Sequence, residues 1–236
     1  MRFQDIIDFI FPKYCIACHT SGDYLCKSCK KQLLPHPEIC PVCHRYSTDY
    51  QTCINCRSDK ENFLEWIIIP FAYKDWLKKL ILRLKYYHKK DVTDFLVERL
   101  ALAIQTNQIL SSLITSHSSL ITSVPSHRYR KYFIKGYNQS ELLAKKLSQK
   151  TWIPYQSLVQ KKKHSKTQAG LDRKQRLTNL QSAFTMKENN LTGTETILIV
   201  DDVTTTWSTI NEIAKTIKHT YPKTKIWGVV LGRHIW

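Results

Sequence analysis

The chain has 236 residues and carries 36 Lys and Arg against 19 Asp and Glu, a formal net charge of +17. That length holds a small module plus one domain of about 170 residues, large enough to bury a substantial core. No apolar run is long enough to span a bilayer, so any membrane contact is expected to be peripheral. The positive surplus favours nucleic acid or anionic membrane surfaces through counterion release, although a basic proteome would also raise the lysine count.

The cysteines come first. All eight fall in the first quarter of the chain, as the Cys-x-x-Cys pairs Cys15/Cys18, Cys26/Cys29, Cys40/Cys43 and Cys53/Cys56. Two residues between thiolates let a tight turn aim both sulfurs at one metal, and two such pairs complete a tetrahedral zinc site. Sequential pairing groups Cys15, Cys18, Cys26 and Cys29, then Cys40, Cys43, Cys53 and Cys56; spacing alone leaves an interleaved arrangement open. Disulfides and redox dithiols are the rival readings. The opening MRFQDIIDFIFPKY has too short an apolar part for a secretory signal and no small-residue cleavage site. A cytoplasmic location follows as the expectation, and disulfides are rare there. A redox centre needs one pair rather than four, so structural zinc is expected. Residues 11–60 contain few large aliphatic side chains, so metal cross-links should supply stability that a core cannot. Four thiolates leave no open coordination position, which argues against catalytic zinc. His19, His36 and His44 read as surface residues rather than ligands.

Beyond the cysteines, WIIIPFAY (Trp66 to Tyr73) reads as a strand. Leu77, Leu80, Ile81 and Leu84 repeat at helical spacing, with Lys78, Lys79, Arg83 and Lys85 on other faces. A second helix is expected from Asp91 to Leu110, and a short buried strand from Leu120 to Val124, ended by Pro125. Asn138 to Ser148 reads as a helix with Leu142, Leu143 and Leu147 inward. Residues 161–176 are polar, basic and aperiodic, a loop leading into a short helix. Ile197 to Val200 forms a buried strand with Asp201 and Asp202 at its carboxyl end. The hydroxyl run Thr204, Thr205, Thr206, Ser208 and Thr209 then opens an amphipathic helix with Ile210, Ile213, Ala214 and Ile217 on one face. Ile226 to Leu231 closes the chain as a last strand. Strands alternating with helices predict a parallel sheet with crossovers.

In such a sheet ligands bind at strand ends, and the free N–H groups at the next helix start hold phosphate. Paired carboxylates beside a phosphate loop suit a sugar's hydroxyls or a magnesium ion. The unit from Ile197 to Thr209 resembles the phosphoribosyl pyrophosphate (PRPP) loop of type I phosphoribosyltransferases, except that Trp207 stands where glycine is usual. Glycine there permits positive φ and close backbone approach. Tryptophan is expected to keep a negative φ, its ring either stacking on a nucleobase at the rim or packing against the following helix.

Three further segments extend the resemblance. SVPSHRYRKYFIKGYNQSELLAKKL (Ser123 to Leu147) is similar to a signature of the ComF (ComFC) competence family, with Lys135-Gly136-Tyr137-Asn138-Gln139 in place of Arg-Gly-Phe-Asn-Gln. SKTQAGLDRKQRLTNLQSAF (Ser165 to Phe184) and LILRLKYYHKKD (Leu80 to Asp91) resemble two others. The resemblance implies a double zinc-ribbon module over 1–60 and a type I phosphoribosyltransferase-like α/β domain over 61–236.

It also implies roles. Ser123, Val124, Pro125, Ser126 and His127 would cradle pyrophosphate, with Arg128, Arg130, Lys131 and Lys135 adding charge. Asp201 and Asp202 would be the catalytic pair facing the ribose hydroxyls. Val203, Thr204, Thr205, Thr206, Trp207, Ser208 and Thr209 would hold the 5′-phosphate. Lys161, Lys162, Lys163, Lys166, Arg173 and Arg176 would form either a hood over the site or a solvated loop.

Lys85, Arg128, Arg130, Lys131, Lys135, Lys161, Lys162 and Lys163 are candidate contacts for single-stranded DNA. Tyr86, Tyr87, Tyr129, Tyr132, Phe133 and Tyr137 lie among them, as stacking rings or as core. Two functions stay open: a natural-transformation protein handling incoming single-stranded DNA, or an active phosphoribosyltransferase with an unidentified acceptor. Expected ligands and partners are structural zinc, PRPP with magnesium, single-stranded DNA, and an inner-membrane DNA-uptake channel or competence helicase.

Overall fold

The computed structural model describes residues 12–59, 61–87, 90–116, 118–126, 137–162 and 183–234, with backbone alone at 50, 85–87, 90, 91 and 116. In chain order, two helical turns, α1 (Lys27–Lys30) and α2 (Ile54–Arg57), lie in the cysteine region. The strands β1 (Trp66–Ile68) and β2 (Phe71–Ala72) follow, then α3 (Asp75–Tyr87), α4 (Lys90–Thr106), α5 (Gln108–Ser116) and β3 (Ser119–Ser123). The chain continues through α6 (Gln139–Thr151), β4 (Val159–Lys161), β5 (Phe184–Met186), β6 (Thr196–Thr204), α7 (Ser208–Thr220) and β7 (Lys225–Arg233).

The main sheet is parallel, in the order β1-β7-β6-β3, with β2 pairing the far end of β7. Side chains of β7 alternate between two cores. Trp227, Val229 and Leu231 join a cluster with Leu80, Leu84, Leu96, Leu100 and Leu143, from α3, α4 and α6. Ile226 and Val230 join Ile210, Ile213 and Ile217 of α7 on the opposite face. Covering both faces of a parallel sheet yields the near-continuous apolar strands seen in β6 and β7. A separate antiparallel ribbon, β4 with β5, pairs Val159 with Met186 and packs Phe184 into the second cluster.

Several expectations shift. WIIIPFAY is two strands rather than one, because Pro70 has no N–H to donate. The register nevertheless carries through, Ile68 opposite Val229 and Phe71 opposite Gly232. The helix expected over 91–110 is two helices: Asn107 interrupts it, and its Oδ1 accepts the Leu110 N–H at 2.9 Å. The last but one strand runs through both aspartates to Thr204, so the carboxylates sit within the end of β6 rather than after it. Among the described residues no helix is long and apolar enough to cross a membrane.

An exposed edge strand invites pairing with other chains. Here the cysteine region covers it. Leu34 O accepts the Ala72 N–H at 2.9 Å, Pro70 O accepts the His36 N–H at 3.3 Å, and Gln51 bridges Trp66. Arg57 lies 4.9 Å over the Trp66 ring, which stacks on Trp227 at 4.4 Å.

Candidate functional site

The eight cysteines settle into two sequential clusters. Within Cys15, Cys18, Cys26 and Cys29, and again within Cys40, Cys43, Cys53 and Cys56, all sulfurs lie within 4.8 Å of one another. A tetrahedral zinc with bonds of about 2.3 Å places its sulfurs about 3.8 Å apart. Cys18 and Cys26 are 3.6 Å apart, as are Cys43 and Cys53. Sequential pairing is therefore the observed arrangement, and each donor set fits one closed zinc site.

The clusters are structural repeats. Cys15 N–H donates to Thr20 O at 2.8 Å, and Cys40 N–H to Arg45 O at 2.8 Å. The N–H groups of Cys26 and Cys53 each reach a sulfur, Cys15 and Cys40 respectively, at 3.4 Å. His19 and His44 occupy matching positions with φ of 60° and 63°. Acidities repeat as well. Hydrogen bonds, first from Thr20, hold the Cys18 thiol down at about 6. In Cys43 burial raises the thiol, but bonds from Arg45 and neighbouring sulfurs bring it to about 6. Burial, reinforced by the adjacent sulfurs, pushes Cys29 up to about 12 and raises Cys56 too. Four crowded thiols cannot all ionise unaided; a divalent cation removes the conflict.

The histidines do not ligate in these groups. His36 is not the surface residue expected: it is 3% exposed, its Nδ1–H donates to Pro37 O at 2.8 Å, and burial lowers its pKa to about 4.

The second site gathers at the carboxyl end of the parallel sheet. β3 and β6 pair in register, Ser123 opposite Val200, and the Val124 N–H extends the ladder to Val200 O at 3.0 Å. The strands thus bring residues 123–126 and 201–206 to one end. Helix α6 begins there too. Asn138 caps it, its Oδ1 accepting the Ser140 N–H, while its Nδ2–H donates to Val124 O at 2.9 Å. Ser140 Oγ–H donates to Asp201 Oδ1 at 2.6 Å, which also takes the Asp202 N–H at 2.9 Å. Asp202, 8% exposed, accepts the Val203 N–H at 2.8 Å. Thr204 Oγ1 donates to Thr206 O, and the Thr206 and Ser208 hydroxyls lie 2.6 Å apart.

Beside this end lies a cavity of about 220 Å³ whose walls include Ser123, Pro125, Ser126, Asn138, Lys161, Lys187 and the carboxylate of Glu141, which is paired with Lys145 at 2.9 Å. Ser126 Oγ is buried and has no hydrogen-bond partner, an acceptor-seeking group in a cavity with two ammonium groups on its wall. Such a lining suits an oxyanion.

Trp207 has φ −64° and stands as N-cap of α7 without a side-chain cap bond. Its ring is half-buried and packs against the cluster containing Ile199 and Ile210, the packed arrangement of the two expected. Lys161 and Lys162 lie at the end of the β4–β5 ribbon. Lys85 lies on α3, described in backbone only, whereas His127, Arg128, Arg130, Lys131, Lys135 and Lys163 fall outside the described residues. Sequence reasoning passed over Ser140, Ser157, Tyr155 and Lys187. Ser157 accepts from Lys187 Nζ at 2.7 Å, and Tyr155 meets Ser123 Oγ at 3.0 Å. Only Ser140 had a signal, its place just after an Asn cap.

Two four-cysteine zinc-ribbon clusters followed by a parallel-sheet, phosphoribosyltransferase-like α/β domain define the class of protein. No sequence-family model matches the chain. It is 32% identical over 223 residues to competence protein F of Haemophilus influenzae, covering 91% of this chain and 95% of that protein. It is also 29% identical over 198 residues to DNA utilization protein YhgH of Escherichia coli, and 26% identical over 196 residues to that of Salmonella typhimurium. In both, the match covers 81% of this chain and 82% of the relative. The chain belongs to the competence protein F (ComF) family.

Proposed function

We propose that this chain is a cytoplasmic natural-transformation protein that handles incoming single-stranded DNA and carries a site for PRPP with magnesium. The observation that carries the site is the convergence of the Asp201–Asp202 pair, the Thr204–Ser208 hydroxyls and the Ser123–Ser126 loop at one end of the sheet. A sugar diol or magnesium would meet the carboxylates, and the diphosphate would meet the buried Ser126 hydroxyl with Lys161 and Lys187. The competence and DNA-utilization names of its relatives support the DNA role, as does a net charge of +17. The cysteine module, over 1–60, would be the stabilising part, and 61–236 the ligand-binding part. An inner-membrane uptake channel or a competence helicase is the partner this reading expects.

Calorimetry with PRPP and magnesium, beside fluorescence polarisation of labelled single-stranded oligonucleotides across a salt series, tests both halves. PRPP binding with a defined stoichiometry is expected, together with DNA binding that lacks strong sequence preference. Each phosphate contact should add about −0.7 to the log–log salt slope. A flat salt response removes the DNA reading, and no heat with PRPP removes the site reading. Pyrophosphate release in the presence of a nucleobase acceptor would instead establish an active transferase.

A further inference from the structure

Arg233, the last residue of β7, is 2% exposed and among the largest fully buried side chains of the described residues. Its guanidinium does not stay with its own sheet. Nη1–H donates to Pro41 O at 3.1 Å, and Nη2–H donates to His44 Nε2 at 2.5 Å. Pro41 and His44 flank Cys40 and Cys43, and the knuckle they belong to is closed by the His44 N–H to Cys40 O bond. The same residue's backbone lies elsewhere. It pairs with Thr204, the first residue of the hydroxyl loop, and with Ala72 on the other side; its carbonyl accepts the Tyr73 N–H at 2.7 Å.

We infer that Arg233 is a positioning residue that ties the second four-cysteine cluster to the hydroxyl loop, so that metal at Cys40, Cys43, Cys53 and Cys56 holds that loop in place. Four thiolates around one zinc carry a net negative charge, which a buried guanidinium beside the knuckle stabilises. When the metal leaves, the knuckle loses the cross-link that holds Pro41 O and His44 Nε2 in position. Arg233 then loses these two acceptors at once, and the strand end beside Thr204 loses its tie to the knuckle. Arginine suits the task because its rigid planar fork presents Nη1 and Nη2 to two acceptors in a fixed geometry, whereas an ammonium is a compact charge on a flexible stem.

The repeat provides an internal control. The first cluster docks differently: Cys15, Leu25 and Cys29 are part of the apolar core beside α4, with Ile16 and Leu33 packed against it. That core also holds Val200 of β6, so metal at the first cluster reaches the loop end only through shared apolar packing and should affect it less than metal at the second cluster does. The inference rests on the phosphate-site reading only for the loop's purpose; metal release and loop exchange are measured without any ligand, so failure of one is separable from failure of the other.

The test uses the zinc-loaded full chain and two variants, Arg233→Met and His44→Gly. Glycine accepts the φ of 63° at position 44, so His44→Gly removes the acceptor without backbone strain. Zinc release to a chromogenic chelator and amide hydrogen exchange over 200–209 and 13–30 are followed. The expected result in both variants is at least tenfold faster loss of one of the two zinc ions and faster exchange over 200–209. The other ion and residues 13–30 should behave as in the parent. Wild-type release and wild-type exchange over 200–209 in His44→Gly overturn the inference, even if Arg233→Met fails to fold. Equal acceleration of both ions also overturns it, because that reports general destabilisation.

Discussion

Replacing both aspartates by asparagine is the sharpest perturbation of the proposed phosphate site. Asp201 Oδ1 accepts from Ser140 Oγ at 2.6 Å and from the Asp202 N–H at 2.9 Å, and Asp202 Oδ1 accepts from the Val203 N–H at 2.8 Å. An asparagine oxygen can keep each of these bonds, so Asp201→Asn with Asp202→Asn should cost only about 1 kcal/mol of stability. The proposed ligand would lose far more, since the two negative charges that would face a diol and magnesium disappear. A hydrogen bond to a charged group contributes about 1.5–3 kcal/mol. A combined loss of about 3 kcal/mol, roughly 100-fold in Kd, is the expected minimum. Calorimetric titration with PRPP and magnesium measures it, with melting temperature and zinc content as controls. Ser140→Ala removes only the donor that orients Asp201, so its affinity should fall several-fold, between the parent and the double variant. A folded, zinc-loaded double variant with parental affinity would refute the placing of diol and magnesium at this pair.

Elemental analysis should find about two zinc ions per chain, and Cys18→Ser or Cys43→Ser should each lose one ion; loss of both from either variant contradicts two independent sites. Trp207→Gly should destabilise by about 1–3 kcal/mol, because a half-buried ring leaves the apolar cluster. Unchanged denaturation with weakened DNA binding would return the indole to a stacking role. A Cβ at Gly232 would come within 2.5 Å of Leu77 Cδ2 and 3.1 Å of Phe71 O. Gly232→Ala should therefore cost about 1–3 kcal/mol, read as a lower melting temperature, and its cost should be smaller when measured in a Leu77→Ala background.

Glu195 gives a pH prediction. Burial raises its carboxyl, but the Thr192 N–H at 2.6 Å, the Gly193 N–H and the Thr192 hydroxyl outweigh that and leave it lowered. A folded-state value below the unfolded one adds stability above the ordinary glutamate value of about 4.3. That stability fades as pH falls through the lowered value. Denaturant titrations of Glu195→Gln should lose about 1 kcal/mol at pH near 7 and converge on the parent in acid.

The metal ligands were legible because Cys-x-x-Cys is a local geometry, complete within four residues. Which pairs share a metal was not, since it depends on how the turns stack. The parallel sheet was legible from runs such as Ile197 to Val200, while β4 and β5 were missed: three residues each, half polar, show no period. The break at Asn107 was hidden because Ile109 and Leu110 continue the apolar spacing across it. Isolated polar residues carry even less signal. Nothing local marks Lys187 as a cavity wall, His36 as buried, or Arg233 as a side chain inserted into the cysteine region.

The strand order has a consequence for biosynthesis. β7 lies between β1 and β6 rather than at an edge, so β1 and β2, made early, pair with residues made about 160 positions later, as Ile68 with Val229. Until β7 has been made, β1 and β6 each lack the neighbour that joins them, and the apolar faces of α3 and α7 have only part of the sheet to cover. The zinc knuckles, whose ligands are all local, can close early, whereas sheet closure must wait for β7, far along the chain. A nonsense codon shortly before β7 would therefore leave a metal-loaded amino-terminal module attached to an unclosed sheet, a substrate for chaperones and proteases rather than a shortened working protein.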